Sequence, residues 1–303
     1  MSNQGKIQEK VNYFLKIKIP GKGWLRNRQL EFLNLLKMIQ FRYPFQPIKA
    51  QALWLLVYGL IYPFPRIVLG RERTWRICHS LLDIYFPSVV IPLFPPLKSK
   101  VILRDLLDFE IYRDIYVCGE YIHETLKGGM NVIDVGAHMG MYTVLAAEKI
   151  GKNGKVIAIE PEPENYRQLL RNIKLNNFQN VIPKNIALTD HNGCEKLYIS
   201  PDSYGHSLFV KNNQLTPIEV PVRTLDKLLE ELSLNRVDVI KIDAEGAEIP
   251  ILKGAEKTLK ANPNIKMFIA SYHYPSQIKE VCQFLNERGF KTKVSSGNVV
   301  MTT

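Results

Sequence analysis

The ten residues Asn131–Gly140, with the sequence NVIDVGAHMG, constrain the fold of this 303-residue chain more than any other stretch. Its apolar first half predicts a short buried strand at 131–135, and Gly136 and Gly140 predict a tight turn that leads into a helix at 141–150. A second apolar strand follows at 155–159 and ends in Glu160. A strand, a glycine turn, a helix and a second strand predict the first unit of a parallel, doubly wound sheet.

The acidic residues around this turn favour a ligand that carries a ribose and a positive charge. In a dinucleotide fingerprint the second glycine lets the backbone touch the pyrophosphate, but that position is His138 here. A carboxylate at Asp134 would repel a pyrophosphate, whereas Glu160 is placed to accept hydrogen bonds from two ribose hydroxyls. S-adenosylmethionine has a ribose, an ammonium and a sulfonium but no phosphate. The turn therefore indicates S-adenosylmethionine, with an ordinary turn and chance acids as the bland alternative.

From about Lys100 to its C-terminus, the chain resembles the FkbM family of S-adenosylmethionine-dependent O-methyltransferases. The most specific matching run is KIDAEGAEIPILKG at 241–254. The other matching runs are DFEIYRDIYVCGEY at 108–121, VIDVGAHMG at 132–140, AIEPEP at 158–163, NIALTD at 185–190 and TLD at 224–226. The resemblance implies a Rossmann-like class I methyltransferase fold over 98–303, a mostly parallel sheet with an antiparallel edge strand. It leaves 1–97 unexplained.

The residues expected to bind the cofactor lie at carboxyl ends of predicted strands, where this fold binds its ligands, or in a segment that the family places near the cofactor. The backbone at Ala187 and Leu188 is expected to read the adenine edge, with Asp190 nearby. The family resemblance adds Glu120 and Tyr121. The full set is Asp134, Gly136, His138, Gly140, Glu160, Ala187, Leu188, Asp190, Glu120 and Tyr121.

Four further residues are candidates for catalysis at the ends of the fourth and fifth predicted strands. Methyl transfer needs an acceptor oxygen aligned behind the methyl group, and often a base that takes its proton. Asp243 or Glu245 is expected to be this base, with Lys241 beside them, or the two carboxylates hold a divalent cation that binds a diol. His273 is the alternative base.

A purely structural role is the alternative for these residues and their neighbours. Lys241, Asp243 and Glu248 would also suit an ion network that caps a helix. His206 lies in a loop and is only a weak candidate for contact with the acceptor. The four cysteines are scattered, which argues against a zinc site or a disulfide framework. No dedicated metal ligands are expected.

The rest of the core domain reads as alternating strands and helices. Strands are expected at 101–103, 109–112, 181–187, 196–200, 220–224, 237–243 and 265–272, with helices at 162–176, 225–232, 248–260 and 276–288. A closing pair of strands is expected at 290–294 and 298–301. This alternation predicts a parallel sheet whose carboxyl edge carries the candidate site.

The N-terminal third carries nearly all of the net charge of +11. Residues 1–97 contain 14 Lys and Arg against 4 Asp and Glu, whereas 98–303 contain 26 against 25. A basic, mainly helical extension suggests a polyanionic partner, either RNA, an anionic membrane surface or an acidic glycan, or it is a solvated face. An amphipathic helix is expected at 28–41, and the proline-rich run 85–97 is expected to be an extended connector that ends this domain.

The apolar run 52–64 is too short to span a bilayer. With the arginines that follow, 52–76 is either a buried helix or an interfacial segment on the inner face of a membrane. Because the first ten residues lack an apolar signal region, we expect a cytoplasmic protein, with peripheral membrane contact as an option.

Three functions compete at this level. The resemblance favours transfer of a methyl group to a hydroxyl of a small molecule, a sugar or a glycan. The basic third would suit an RNA methyltransferase, but the chain has no N-P-P-Y-type tetrapeptide and no RNP aromatic motif, so a nucleic-acid partner is not expected. The third option is a membrane-surface or assembly subunit. A homo-oligomer is left open.

Overall fold

The computed structural model describes residues 89–93, 97–104, 108, 111–117, 119, 121, 125–199, 217–295 and 297–302. They belong to a compact unit that begins at Ser88. The amphipathic helix expected at 28–41, the segment 52–76, Glu120 and His206 lie outside these residues. Membrane contact through 52–76 and a homo-oligomer therefore stay predictions. Within the described ranges, no helix is long and apolar enough to cross a membrane.

The strands and helices alternate along most of this unit. The strands are β1 (Val89–Pro92), β2 (Lys100–Leu103), β3 (Asn131–Val135), β4 (Lys155–Ile159), β5 (Val181–Lys184), β6 (Ala187–Leu188), β7 (Gly193–Tyr198), β8 (Pro217–Arg223), β9 (Val239–Ile242), β10 (Lys266–Ala270), β11 (Thr292–Val294) and β12 (Val299–Thr302). The helices are a π-helix (Arg113–Val117), α1 (Met141–Ile150), α2 (Pro163–Leu175), α3 (Leu225–Glu231), α4 (Glu248–Lys253), α5 (Glu256–Ala261) and α6 (Gln277–Asn286).

Seven of the described strands form one sheet in the order β5-β4-β3-β9-β10-β12-β11. The first five of these are mutually parallel, and β12 is antiparallel to both of its neighbours. This arrangement confirms the expected Rossmann-like class I methyltransferase fold. The antiparallel strand that was expected at the edge is β12, one position in from the edge strand β11.

The register of the central strands determines which side chains meet. β3 lies between β4 and β9, and Asp134 is paired with Ala158 on one side and with Lys241 on the other. Paired residues on neighbouring strands point to the same face of a sheet. An acid and a base that are far apart in sequence are therefore neighbours in the middle of the sheet.

The hydrophobic core lies against these central strands. Because parallel strands are covered on both faces, their sequences are nearly all apolar. The largest described cluster joins strand residues to the helices that follow β8, β9 and β10, and it includes Ile133, Val135, Ile240, Ile242, Leu228, Ile251, Leu252, Leu259, Val281 and Leu285. Asp134 and Lys241 are thus polar exceptions in an apolar layer.

The prediction of a strand at 109–112 is wrong. Residues 111 and 112 are helical, and the π-helix Arg113–Val117 follows them. The rings of Tyr112 and Tyr116 lie 4.7 Å apart, centre to centre. The Tyr116 hydroxyl donates a hydrogen bond to the Met141 carbonyl. This packing along one helical face outweighs the local preference for a strand. The alternation of residue types did not reveal it.

The single helix expected at 248–260 is divided into α4 and α5. The break lies at Gly254, where a Cβ would be 2.2 Å from the Thr189 carbonyl oxygen. The Gly254 carbonyl accepts a hydrogen bond from Asp226 N. The chain therefore needs a residue without a side chain here, and the turn separates the two helices.

The strand expected at 181–187 is likewise divided, into β5 and β6. The Asn185 side chain donates hydrogen bonds to the carbonyls of Glu160 and Pro161, at 2.8 and 3.0 Å. These bonds hold the chain at the end of β4. Beyond this point β6 leaves the main sheet and pairs in parallel with β8, which is itself antiparallel to β7.

The hairpin β1-β2 is attached to the outside of α1 and α2 by side-chain acceptors. Lys100 N and Ile102 N donate to the side-chain oxygens of Asn176 and Asn172, at 2.7 and 2.8 Å. The Glu148 carboxylate accepts from the backbone N–H groups of residues 98 and 99. Residues 89–92, which lie within the expected connector, thus form a strand of the same compact unit.

Candidate active site

The glycine turn after β3 is shaped by the protein's own backbone. Gly136 N and Ala137 N both donate to the Ile159 carbonyl, at 3.0 and 2.9 Å. Gly136 has a φ of 70°, and a Cβ on it would lie 1.8 Å from the carbonyl oxygen of Asp243. Only glycine fits at position 136, because the loop after β9 approaches it so closely. This approach brings the glycine turn into contact with the loop that carries Asp243.

Asp134 lies below this turn with no side-chain exposure. Its Oδ2 accepts a hydrogen bond from the Thr143 hydroxyl at 2.6 Å, and its Oδ1 lies 3.3 Å from Lys241 Nζ. The Lys241 amine also donates to the carbonyl of Gly136 at 2.7 Å. Burial lowers the pKa of Lys241, but the charges of Asp134 and Asp243 raise it above its usual value. This geometry favours positioning roles for Asp134 and Lys241 over direct contact with reactants.

Glu160 closes the other side of the turn at the end of β4. Its carboxylate accepts hydrogen bonds from His138 N at 2.7 Å and from Glu162 N at 3.0 Å. Burial raises the pKa of Glu160 to about 7, although these two bonds oppose the shift. Since a carboxylate offers about four acceptor positions, two remain for the hydroxyls of a ribose.

His138 holds its place in the turn through its backbone and its ring. Its φ is 52°, an unusual value for a residue with a side chain. Its Nε2 lies 3.4 Å from Nη2 of Arg104, which also binds Asp108 and Asn165. His138 therefore shapes the loop, and its backbone N–H orients Glu160.

The residues expected at the adenine edge lie in β6 and directly after it. Ala187 and Leu188 are buried and form β6. Asp190 is exposed, and the hydrogen bond from His191 holds the pKa of its carboxyl below its usual value. A role for these residues at the adenine edge stays a prediction.

Three carboxylates surround one histidine at the carboxyl ends of β9 and β10. His273 Nε2 lies 3.5 Å from Asp243 Oδ1 and 3.3 Å from Glu248 Oε1, and His273 Nδ1 lies 3.3 Å from Glu245 Oε2. Glu248 has no exposed side-chain surface, and its carboxylate also accepts from Ala244 N at 2.9 Å. Glu248 thus accepts hydrogen bonds from the loop that precedes α4, and no side-chain hydrogen bond is made at the N-cap of this helix.

The charges in this cluster depend on each other. Burial lowers the pKa of His273, but the neighbouring carboxylates of Asp243, Glu245 and Glu248 raise it to about 12. Partial burial raises the pKa of Asp243, but the contact with His273 and the Lys241 charge hold it well below its usual range. At neutral pH, Asp243 is therefore a carboxylate and His273 a cation, which favours a positioning role for His273 over that of a base.

Two tyrosines direct their hydroxyls at Asp243. Tyr121, which is buried, donates to Oδ2 at 2.9 Å, and Tyr272, which is exposed, lies 3.3 Å from Oδ1. Lys241 Nζ lies 5.5 Å from the centre of the Tyr121 ring. The family resemblance named Tyr121 for the cofactor, and the structure places its hydroxyl on the candidate catalytic carboxylate.

Glu245 has a strained backbone within this cluster. Its φ is 51°, and the next residue, Gly246, has a φ of 98°. A left-handed glutamate costs about 1 kcal/mol or more and persists where the surroundings enforce it. The contact of Glu245 with His273 provides such a constraint.

Sequence reasoning missed four residues that build the site. Thr143 binds Asp134, Asn185 holds the end of β4, and Arg104 contacts His138. Gln277 donates to the buried carboxylate of Glu248 and accepts from His273 N. Thr143 and Asn185 could have been noticed, because each lies within one helical turn or one strand of a residue already singled out. Across the described part of the chain, no group of three or more His, Cys, Asp and Glu side chains is arranged to hold a metal ion.

In this sheet a glycine turn follows β3, and a buried acid follows β4. Together with the order of the strands, these features define a class I S-adenosylmethionine-dependent methyltransferase. The chain belongs to the FkbM methyltransferase family, because the family model described as Methyltransferase FkbM domain matches residues 134–292, more than half of the chain. It is accordingly a methyltransferase that uses S-adenosylmethionine. Glu160 and the glycine turn fit the ribose of that cofactor.

Several curated proteins are similar to this chain. Methyltransferase sdnD of Sordaria araneosa is 26% identical over 178 aligned residues, which cover 48% of this chain and 68% of that protein. Methyltransferase 1 of Beauveria bassiana is 25% identical over 166 residues, and the match covers 48% of this chain and 66% of that protein. The hexuronic acid methyltransferase AglP of Haloferax volcanii is 26% identical over 167, covering 54% and 65%. The matches thus span about two thirds of these relatives.

A solved structure is also similar. The crystal structure of methyltransferase FkbM from Methylobacillus flagellatus KT is 14% identical, with a TM-score of 0.45. The match covers 92% of this chain and 60% of that chain.

Proposed function

We propose that this enzyme transfers a methyl group from S-adenosylmethionine to a hydroxyl of a small molecule, a sugar or a glycan. The observation that carries the proposal is the placement of Asp243 and Glu245 on opposite nitrogens of His273, with the Asp243 backbone against Gly136. Carboxyl groups that can accept a hydroxyl proton therefore adjoin the turn that adenosylmethionine would occupy. The name of AglP, a hexuronic acid methyltransferase, supports a sugar acceptor.

The cofactor supplies a methyl group on a positively charged sulfur. As the acceptor oxygen attacks, positive charge develops on that oxygen and its proton becomes acidic. A fixed carboxylate stabilises this charge and takes the proton, even when its own pKa is low. Asp243 is the first candidate for this role and Glu245 the second. His273 and Tyr121 hold Asp243 in one orientation.

Replacement of the two carboxylates tests this proposal. Asp243→Asn keeps the shape of the side chain, and we expect kcat to fall about 10²- to 10⁴-fold while the Kd for adenosylmethionine stays within about twofold. Glu245→Gln is the parallel variant, and it shows which carboxylate carries the proton. Glu287→Gln, at an exposed position directly after the C-terminal end of α6, is the matched control. Normal turnover in both Asp243→Asn and Glu245→Gln would contradict the proposal.

The acceptor class is tested by the destination of labelled methyl groups. Purified enzyme and labelled adenosylmethionine are incubated with a glycan fraction, a small-metabolite fraction and total RNA. We expect label in one of the first two fractions, and none with Asp243→Asn. Label that appears only in RNase-sensitive material would contradict the proposal and support the RNA alternative.

A further inference from the structure

Tyr272 is the most exposed of the large hydrophobic side chains in the described part of the chain, at 46%. It comes directly after β10 and Ser271, at the carboxyl edge of the sheet where the three carboxylates lie. The other large hydrophobic side chains with high exposure, Leu170, Leu175 and Val294, are on α2 and β11. An exposed aromatic ring at this edge is therefore next to the candidate reaction centre.

The described contacts of the Tyr272 ring include Asp243 and His273. Its hydroxyl lies 3.3 Å from Oδ1 and 3.4 Å from Oδ2 of Asp243. The ring centre lies 4.6 Å from that of His273, at an interplanar angle of 49°. An aromatic ring fixed in this way loses little further freedom when a ligand packs on it, so its apolar face is a preorganised surface.

Two carboxylates lie on opposite sides of the His273 ring, which packs against Tyr272. Asp243 and Glu245 contact opposite nitrogens of the His273 ring, and their side chains are 25% and 34% exposed. A ligand here would meet an apolar face and two separated carboxylates. Binding sites commonly combine such an aromatic wall with a few polar groups that fix orientation.

We propose that Tyr272 is the binding platform for a sugar ring, whose axial C–H face packs on the tyrosine while two of its hydroxyls donate to Asp243 and Glu245. The C–H groups of a pyranose carry partial positive charge, which suits the negative face of an aromatic ring. A phenol would also pack on Tyr272, but its single hydroxyl would engage only one of the two carboxylates. A catechol has two hydroxyls and is therefore the competing acceptor in the test. This inference rests on the proposed O-methyl transfer and specifies its acceptor as a sugar.

The test compares three variants of the full chain. Tyr272→Ala removes the ring, Tyr272→Phe keeps the ring without its hydroxyl, and Tyr274→Ala is the matched control, because the Tyr274 hydroxyl binds Glu280 instead of Asp243. Methyl α-D-glucopyranoside, D-glucuronic acid and catechol are the acceptors. Binding of each is measured by saturation-transfer NMR on enzyme saturated with S-adenosylhomocysteine, and methyl transfer by label from adenosylmethionine.

We expect one of the two sugars to bind and to accept label. Tyr272→Ala should weaken binding of that sugar and raise its KM about tenfold, the size of an aromatic packing contribution. Tyr272→Phe should stay within about threefold of the wild type, and Tyr274→Ala should match it. The Kd for adenosylmethionine should be the same in all four proteins, which shows that each is folded.

Two results would overturn the platform while leaving O-methyl transfer intact. One is methylation of a sugar with the same KM in Tyr272→Ala as in the wild type. The other is binding and methylation of catechol alone. If neither sugar nor catechol binds or is methylated although adenosylmethionine binds, the platform fails, and label in RNA would show that the proposed function fails with it.

Discussion

Lys241 Nζ lies 3.3 Å from Asp134 Oδ1, and the two residues occupy paired positions on the neighbouring strands β9 and β3. Both side chains are removed from solvent, with exposures of 5% and 0%. The same amine donates to the Gly136 carbonyl. One buried ion pair therefore ties the glycine turn at 136–140, the candidate cofactor turn, to β9, which leads into the loop at 243–247, the candidate catalytic loop.

Removal of the lysine charge should destabilise the enzyme strongly. Lys241→Met leaves Asp134 as a buried carboxylate without its counter-ion, which costs about 3–5 kcal/mol of the free energy of unfolding. Lys155→Met, at an exposed position at the start of β4, should change it by less than about 0.5 kcal/mol. Urea denaturation measures both values.

The double variant Asp134→Asn/Lys241→Met separates the charge effect from loss of packing. It should recover about 1 kcal/mol or more relative to Lys241→Met, because no charge is then left unpaired. A double variant that is less stable than Lys241→Met would show that the ion pair is not the source of the effect.

Gly136 should tolerate no side chain. In Gly136→Ala the added Cβ would lie 1.8 Å from the Asp243 carbonyl oxygen, so the cofactor turn and the catalytic loop must separate. We expect a loss of about 3 kcal/mol or more in stability and a loss of adenosylmethionine binding, measured by urea denaturation and calorimetry.

Gly151→Ala is the matched control for the collision at Gly136. Gly151 also has a positive φ, of 64°, but a Cβ there has no atom within 4 Å. With a ψ of −175°, its backbone lies in a region that essentially only glycine adopts, so the substitution should cost about 1–3 kcal/mol from backbone strain alone and leave adenosylmethionine binding intact. Equal losses in the two variants would show that backbone strain, and not contact with Asp243, makes Gly136 necessary.

The bounds of β3, α1 and β4 could be predicted from the sequence, because a strand, a glycine turn and a helix are encoded by neighbouring residues. The roles of Lys241 and His273 could not. The Lys241 amine is buried only because β9 lies beside β3 in a register that no local pattern reveals. The charge on His273 depends on three carboxylates that approach it through a loop after another strand.

Glu160 should make cofactor binding depend on pH near neutrality. Its pKa is raised to about 7, and only the ionised carboxylate accepts from both ribose hydroxyls. The affinity for adenosylmethionine should therefore rise about tenfold between pH 6 and pH 8, as the ionised fraction rises. Calorimetry at a series of pH values measures this rise.

Glu160→Gln is the control for this pH dependence. It should bind adenosylmethionine weakly, with an affinity that varies little between pH 6 and pH 8. Without cofactor, a rise in pH should lower the stability of the fold, in contrast to its effect on affinity. Because folding raises the pKa of Glu160 from 4.5 to about 7, the wild type should lose stability relative to Glu160→Gln as pH rises from about 4.5 to about 7. A wild-type affinity that is constant from pH 6 to pH 8 would exclude Glu160 as the titrating group.

His273 should set the pH range over which Asp243 works. In His273→Gln the carboxylate of Asp243 loses the neighbour that lowers its pKa most, so the pKa of Asp243 rises. The acidic limb of the kcat/KM profile, where activity falls as Asp243 is protonated, should therefore move to higher pH, while the Kd for adenosylmethionine stays within about twofold. The profile of Asp243→Asn/His273→Gln should lack this limb. If His273→Gln lowers kcat with an unchanged acidic limb, then His273 acts only by holding the loop, and the cationic role assigned to it here is wrong.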